Sequence, residues 1–194
     1  MSADDADSDS ALAQAAAAGS DQAFSRLVSR HKESLYQLLR RHTGNGDEAY
    51  EALQEAFIAA WRALNRYDGQ RPFNVWLRTI ALNKARDRNR RRLVRRIILG
   101  TSALDSPEAL STPDPTTDVE GEALAREQTA RLDAELSRLP NHLKEPLLLV
   151  AFDGASHSEA ADILGVSSKA IEMRLYRARK LLAARLDADL RPDG

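Results

Sequence analysis

Residues 155–186, ASHSEAADILGVSSKAIEMRLYRARKLLAARL, decide the fold of the C-terminal part of this chain. Gly165 separates two helical patterns, and Ala161, four residues earlier, is small enough for the second helix to pack closely against the first. Ile171, six residues after Gly165, falls where an apolar side chain fills the angle between the helices. Ser167 is a favourable N-cap for the second helix. This spacing predicts a helix-turn-helix.

The second of these helices has one polar and basic face. Ile171, Leu175 and Leu182 share the opposite, inward-facing side at helical spacing. The outward face carries Ser168, Lys169, Glu172, Met173, Tyr176 and Arg177. A basic helix that leads with its N-terminus suits the major groove and its phosphates, so the pattern favours DNA binding over a plain helical hairpin with a solvated face.

A second basic segment begins at residues 71–92, RPFNVWLRTIALNKARDRNRRR, where Phe73 and Trp76 start an apolar helical repeat. Residues 71–96 contain ten Arg and Lys residues against one acid, whereas residues 105–135 contain nine acids against two arginines. The whole chain has a formal net charge of only -1. Such asymmetry indicates a polyanion-binding face beside an acidic connector.

The remaining segments also have helical periodicity. Apolar residues recur every three or four positions in residues 24–39 and 49–64, and no segment alternates like a strand. Proline, serine and acidic residues dominate residues 100–121, which is typical of a flexible linker. Pro146 would disrupt a helix interior, which places the start of that helix near Leu143. The predicted fold is all-α, with two small helical domains joined by a flexible acidic linker.

The composition also argues against several classes of protein. The chain has no cysteine, so it has no disulfide, thiolate metal site or cysteine nucleophile. Its four histidines lack metal-ligand spacing, and there is no phosphate-binding glycine loop or nucleophile elbow. The N-terminus is acidic, unlike a signal peptide, and no apolar run approaches 18 residues. We therefore expect a cytoplasmic protein with no membrane insertion, no enzyme activity, no metal and no cofactor.

Two blocks of the sequence together resemble a known family. EAYEALQEAFIAAWRALNRYDGQRPFNVWLRTIALNKARDRNRRR, at residues 48–92, is similar to region 2 of the extracytoplasmic-function (ECF) sigma factors of the sigma-70 family. LPNHLKEPLLLVAFDGASHSEAADILGVSSKAIEMRLYRARKLL, at residues 139–182, is similar to region 4. The resemblance extends over about residues 11–96 and 123–186, in family order. Tyr50, Pro146 and Glu172 depart from the family pattern.

The resemblance implies a division of the chain into named regions. The expected segments are a disordered acidic tail (1–10), a region 2 helical bundle (11–99), the linker (100–121), a region 4 helix-turn-helix (122–188) and a C-terminal tail (189–194). Region 2 would bind the largest subunit of core RNA polymerase and melt the -10 promoter element. Region 4 would recognise the -35 element and contact the second-largest subunit. Family members are usually held inactive by an anti-sigma factor, which is a further expected partner.

The resemblance also implies roles for individual residues. The expected core-polymerase-binding residues are Glu51, Gln54, Glu55, Ile58 and Arg62. The residues expected at the -10 element are Tyr67, Arg71, Trp76, Arg78, Asn83, Arg86 and Arg90, with Asn83 near a pocket for a flipped base. The remaining arginines of residues 88–96 would hold phosphates. At the -35 element we expect the six outward-facing residues of the helix-turn-helix given above.

Two other functions remain compatible with the residues alone. A stand-alone helix-turn-helix regulator would bind duplex DNA through residues 140–185 and use the first domain for oligomerisation or sensing. A helical adaptor would bind only protein. Transcription by purified core polymerase distinguishes the three hypotheses.

Overall fold

The computed structural model describes residues 8–99 and 129–189, with side chains over 8–94 and 129–186. We call the first range the N-terminal unit and the second the C-terminal unit. Helices dominate both units, and no described residue belongs to a β-strand. The prediction of an all-α fold is confirmed.

The N-terminal unit contains four α-helices and one short 3₁₀ turn. The helices are α1 (Asp9–Ala17), α2 (Asp21–Thr43), α3 (Gly46–Ala63) and α4 (Phe73–Leu99), with the 3₁₀ turn at Leu64–Arg66. In the C-terminal unit, α5 covers residues 129–137. It is followed by α6 (Asn141–Leu147), a π-helical turn (Leu148–Phe152), α7 (His157–Leu164) and α8 (Ser168–Asp189).

Side-chain caps set most of the helix starts. Ser8, Ser20 and Asn45 each accept a hydrogen bond from a backbone N–H in the first turn of the helix that follows. Ser156 and Glu159 form a reciprocal capping box at α7, and these hydrogen bonds lower the pKa of Glu159.

The N-terminal end of the chain differs from its prediction. Residues 8–10 are not a disordered tail, because Ser8 caps α1 and the Asp9 carboxylate lies 2.6 Å from Arg30 and 2.7 Å from His31. These contacts fix the start of α1 against α2. The rest of the predicted tail, residues 1–7, lies outside the described residues, as do the linker at 100–121 and residues 190–194.

Small side chains let the helices of the N-terminal unit approach closely. Four alanines of α3 are buried with no measurable exposure: Ala49, Ala52, Ala56 and Ala60. They face α2 and α4, whose leucines fill the core, with Leu27, Leu39, Leu77 and Leu82 all buried. Phe73 is also buried and lies 5.5 Å from the ring centre of Trp76, so these aromatics anchor the start of α4.

The start of α6 is not where Pro146 suggested. The helix begins at Asn141, directly after Pro140, and Pro146 lies inside it. Pro146 is the sixth residue of the helix, beyond the first turn, so it removes one internal hydrogen bond, which the N–H of another residue would donate to the His142 carbonyl. The chain then widens into the π-helical turn, where the Asp153 N–H donates to the Leu148 carbonyl at 3.0 Å.

The two units pack against each other, which the sequence did not predict. Helix α4 contacts α7, and α2 contacts the π-helical turn. The buried apolar residues of both units form one continuous cluster. The predicted pair of helical domains is therefore present, with the domains in direct contact.

The alanine row of α3 makes a prediction about stability. Ala56→Leu inserts a larger side chain into a site with no exposed surface, so we expect it to lower the free energy of unfolding by about 1–3 kcal/mol. Ala15→Leu, on the exposed face of α1, is the matched control and should change stability by about 0.5 kcal/mol or less. Urea unfolding followed by circular dichroism measures both. Equal stability of the two variants would show that α3 does not pack as described.

Candidate nucleic-acid interface

The C-terminal unit contains the predicted helix-turn-helix. Gly165 ends α7 in the left-handed conformation, with φ of 66°, and Ser167 accepts a hydrogen bond from the Ala170 N–H at 3.2 Å. Ile171 is completely buried between α7 and α8, and Ala161 is buried beside it. The geometry expected from the sequence is confirmed.

Helix α8 presents its polar face to solvent. All six predicted -35 residues are exposed: Ser168, Lys169, Glu172, Met173, Tyr176 and Arg177. The Glu172 carboxylate lies 3.9 Å from Nδ1 of His157 on α7, and these two residues line a groove of about 640 Å³ with Tyr176. The face is therefore free to contact DNA, while base recognition by these residues stays a prediction.

The start of α4 contains an aromatic cluster. The Tyr67 ring centre lies 5.6 Å from that of Phe73 and 5.3 Å from that of Trp76. The Tyr67 hydroxyl donates to the Arg71 carbonyl at 2.7 Å, which closes the turn between α3 and α4. Burial, with the nearby charges of Asp68 and Asp9, raises the pKa of Tyr67. The structure brings Tyr67, Arg71 and Trp76 together.

The four other members of the predicted -10 set lie further along α4. Asn83 is exposed, and its Oδ1 accepts a hydrogen bond from Nη1 of Arg86 at 3.0 Å. Arg78 and Arg86 both reach the C-terminal unit, where each forms an ion pair with a carboxylate, Asp153 and Glu145 respectively. Arg90 is exposed and pairs with Asp87 at 2.9 Å. The structure thus places three of the predicted residues at the turn and two at the contact with the C-terminal unit, and leaves Asn83 and Arg90 exposed on α4.

The acidic face of α3 neutralises part of the arginine-rich segment. Arg88 pairs with both Glu51 and Glu55, the latter at 2.8 Å, and Arg92 pairs with Glu48 at 2.6 Å. The sequence analysis assigned the remaining arginines of residues 88–96 to phosphates. In this structure Arg88 and Arg92 face α3 and are paired with its carboxylates, so their contact with phosphates stays a prediction.

The predicted polymerase-binding face lies at the rim of a cationic groove. Its volume is about 650 Å³, and it runs between α3 and α4. The lining residues are Glu55, Ile58, Ala59, Arg62, Ala63, Arg66, Lys84 and Arg91. Three predicted residues, Glu55, Ile58 and Arg62, therefore share one surface with additional cations. Gln54 is exposed on the same helix.

Sequence reasoning missed four polar contact residues, which lie in α2, in α6 and directly after the π-helical turn. They are His42, Lys144, Glu145 and Asp153, which contact partners in the other unit. The Arg86–Glu145 and Arg78–Asp153 pairs join residues 59 and 75 positions apart. Local periodicity carries no signal for such long-range pairs. The local signal that could have pointed to them is the pair of charged residues Lys144 and Glu145, which directly precedes Pro146 and an apolar run.

The described residues include neither a membrane-spanning helix nor a cluster of metal ligands. Within residues 8–99 and 129–189, no helix is long and apolar enough to cross a membrane. The same residues contain no group of three or more His, Asp or Glu side chains placed to hold a metal ion.

Comparison with protein families finds two matches in this chain. Residues 27–95 match the model for sigma-70 region 2, and residues 129–182 match the model for sigma-70 region 4. The first match covers most of the N-terminal unit, and the second contains the helix-turn-helix. The order and the approximate bounds agree with the resemblance found in the sequence.

Comparison with individual proteins gives similarity over nearly the whole chain. RNA polymerase sigma factor CnrH of Cupriavidus metallidurans is 40% identical over 188 residues, which are 94% of this chain and 96% of CnrH. RNA polymerase sigma factor NccH of Alcaligenes xylosoxydans xylosoxydans is 40% identical over 181 residues, or 93% and 95% of the two chains. The solved structure of CnrH in complex with the cytosolic domain of CnrY is also similar, with a TM-score of 0.67 and 34% identity. That similarity covers 93% of this chain and 98% of the CnrH chain.

Proposed function

This chain belongs to the ECF group of the sigma-70 family of RNA polymerase sigma factors, and we propose that it directs core polymerase to promoters through two separate DNA-binding surfaces. One surface is the exposed face of α8 in region 4. The other is formed by α4 and the preceding turn in region 2. The observation that carries the proposal is the exposure of all six predicted residues of α8 on a confirmed helix-turn-helix frame.

Region 4 would recognise the -35 element through the major groove. Arg177 is exposed on α8 and is the best candidate for a bidentate contact with guanine. Glu172 could accept a hydrogen bond from the N4 amino group of cytosine. Ser168 and Lys169 lie at the N-terminus of α8, where the helix dipole and a positive charge both favour a phosphate.

Region 2 would hold the opened -10 strand. An unpaired base needs a planar or amide surface, and its phosphates need cations. Asn83 offers an exposed amide, and Trp76 with the Tyr67–Arg71 turn offers aromatic surface about two helical turns earlier on α4. Arg78, Arg86 and Arg90 would supply the positive charge.

The face of α3 would bind the largest subunit of core polymerase. Ile58 is 51% exposed and places an apolar side chain on this face of α3. Glu51, Gln54, Glu55 and Arg62 surround it with groups that form ion pairs and hydrogen bonds. An apolar centre with a polar rim is the usual composition of a protein interface.

An anti-sigma factor is a further proposed partner. The related factor CnrH was solved in complex with the cytosolic domain of CnrY, and this chain is 34% identical to CnrH in that structure. Because the similarity covers nearly all of both chains, we propose that this chain also binds a regulatory protein of that kind. Such a factor would act with polymerase in the cytoplasm and would itself carry no catalytic site.

Run-off transcription tests the proposal directly. Purified core polymerase, this chain and a library of promoter fragments should together give a promoter-dependent transcript that neither protein gives alone. Tight binding to duplex DNA with no core-dependent transcript would favour a stand-alone helix-turn-helix regulator instead. Neither transcript nor DNA binding would favour a protein-binding adaptor.

The Asn83 assignment makes a narrower prediction. Asn83→Ala removes the amide proposed to contact the flipped base, so we expect open-complex formation to fall by about tenfold. Binding to core polymerase should remain unchanged, because Asn83 lies outside the proposed α3 face. Permanganate footprinting measures opening, and fluorescence anisotropy measures core binding.

Asn89→Ala, six residues further along α4, is the matched control for this experiment. It should leave both open-complex formation and core binding unchanged. A different outcome is that Asn83→Ala weakens core binding and reduces open-complex formation by the same factor. That result would contradict the assignment of Asn83 to the -10 strand and of the α3 face to polymerase.

Two residues of α8 should differ in their effects on DNA binding. Arg177→Ala should cost about 1–3 kcal/mol and relax selection at one base pair of the -35 element. Lys169→Ala should weaken binding uniformly across sequences and reduce the salt dependence by about one unit of slope. Selection from a randomised -35 library by the holoenzyme measures the first effect, and salt titrations measure the second. An unchanged base preference in Arg177→Ala would remove that residue from the recognition surface.

A further inference from the structure

Glu145 of the C-terminal unit is buried against region 2. Only 3% of its surface is exposed, and its carboxylate accepts two hydrogen bonds from the Arg86 guanidinium, one of them at 2.8 Å. Nε2 of His42, itself 1% exposed, lies 3.1 Å from Oε1 of the same carboxylate. Burial acts to raise the pKa of Glu145, but the hydrogen bonds from Arg86 and His42 outweigh it and hold that pKa below its usual value.

A second ion pair joins the same two surfaces. Asp153, just after the π-helical turn, accepts a hydrogen bond from Nη2 of Arg78 at 3.0 Å, and Nε of Arg78 lies 2.5 Å from the other oxygen. Both side chains are largely buried. Next to this pair, the guanidinium of Arg41 lies 5.0 Å from the ring centre of Phe152. Two arginines of α4 are therefore held by two carboxylates of the other unit.

Lys144 adds a third polar contact between the units. Its ammonium group donates to the Ser137 carbonyl at 3.0 Å and to the His42 carbonyl at 3.4 Å. Those carbonyls lie in the last turns of α5 and α2, where a positive charge is favourable. Burial lowers the pKa of Lys144. Because buried charges are costly unless each is paired, this arrangement selects one relative position of the units.

Each of the two arginines has its Nε and Nη2 donors on a carboxylate, so neither can offer that bidentate fork to a DNA phosphate at the same time. A guanidinium uses the same fork of N–H donors for either anion. Arg78 and Arg86 belong to the proposed -10 set, and the Asn83 amide is hydrogen-bonded to Arg86. The carboxylates of Glu145 and Asp153 thus occupy positions that the phosphates of a promoter strand would take.

The size of the packed chain gives an independent argument. The -35 and -10 elements are separated by about 25 base pairs, or about 85 Å of B-form DNA. A compact body made of residues 8–99 and 129–189 has a radius of gyration of about 15 Å and a diameter of about 40 Å. Since the units pack together, α8 and α4 cannot reach both elements in this conformation.

We propose that the contact between the units is an autoinhibitory lock, in which Glu145 and Asp153 hold Arg86 and Arg78 away from DNA until the units separate. This inference rests on the proposed assignment of Arg78 and Arg86 to the -10 strand. In the locked state the α8 face is exposed, but Arg78 and Arg86 of region 2 are bound to carboxylates and are not available to DNA. Opening releases both arginines and lets the two surfaces reach their separate elements.

The double variant Glu145→Gln/Asp153→Asn tests the lock. It removes both negative charges with almost no change in shape. We expect it to bind a fluorescein-labelled single strand of twelve thymidines about tenfold more tightly than the wild type, since the fraction of competent chain rises. The matched control is Glu33→Gln/Asp162→Asn, which makes the same change in net charge at two exposed sites. An affinity equal to that of the control would overturn the lock.

Energy transfer reports the separation of the units without a change at the lock. The chain has no cysteine, so Ala15→Cys and Ala183→Cys, both at exposed positions of different units, can carry a donor and an acceptor dye. Adding the same oligonucleotide to the labelled protein should lower the transfer efficiency. An efficiency that stays constant at saturating oligonucleotide would overturn the proposal even if the double variant fails to fold.

Failure of the lock can be distinguished from failure of the proposed function. Adding Arg78→Ala and Arg86→Ala to the double variant should abolish the gain in affinity. If the gain persists without these arginines, the units separate but the -10 assignment is wrong. If run-off transcription succeeds while the double variant binds like its control, the sigma activity stands and the lock does not.

Discussion

A buried carboxylate must find compensating charge, and the direct hydrogen-bond partners of Glu145 among the described residues lie in the other half of the chain. Its partners, Arg86 on α4 and His42 on α2, belong to the N-terminal unit, so the packing of the units and the protonation of this one side chain are linked. Arg78 with Asp153 and Lys144 with two helix C-termini extend the same constraint. The relative position of the units therefore depends on polar contacts that need specific geometry, in addition to apolar area.

Within each unit, by contrast, apolar packing and local capping dominate. The alanines of α3 let α2 and α4 approach closely, and the aromatic cluster at the start of α4 fixes the turn that precedes it. Ile171 has the same role between α7 and α8. These contacts all lie within one unit, so they do not depend on the contact between the units.

The arginine-rich segment has two different environments along one helix. The side facing α3 is neutralised by Glu48, Glu51 and Glu55, so it couples the proposed polymerase-binding helix to the proposed DNA-binding helix. The side facing the C-terminal unit holds Arg78 and Arg86. Arg90 and Arg91 remain exposed to solvent. A high local charge thus does not mean that every arginine is available for phosphate.

The sequence by itself determined the helices, their caps and the helix-turn-helix, because these depend on residues three to six positions apart. Gly165, Ser167 and Ile171 specify the turn through local backbone and packing requirements, and the exposed face of α8 follows from helical spacing alone. Which arginines are paired with carboxylates and which are open to solvent depends on the tertiary structure. The partners of Arg78, Arg86 and Arg88 are 33 to 75 residues away, and no periodic pattern encodes an ion pair over such a distance. The same reason explains why the sequence predicted two domains but not the buried contact that joins them.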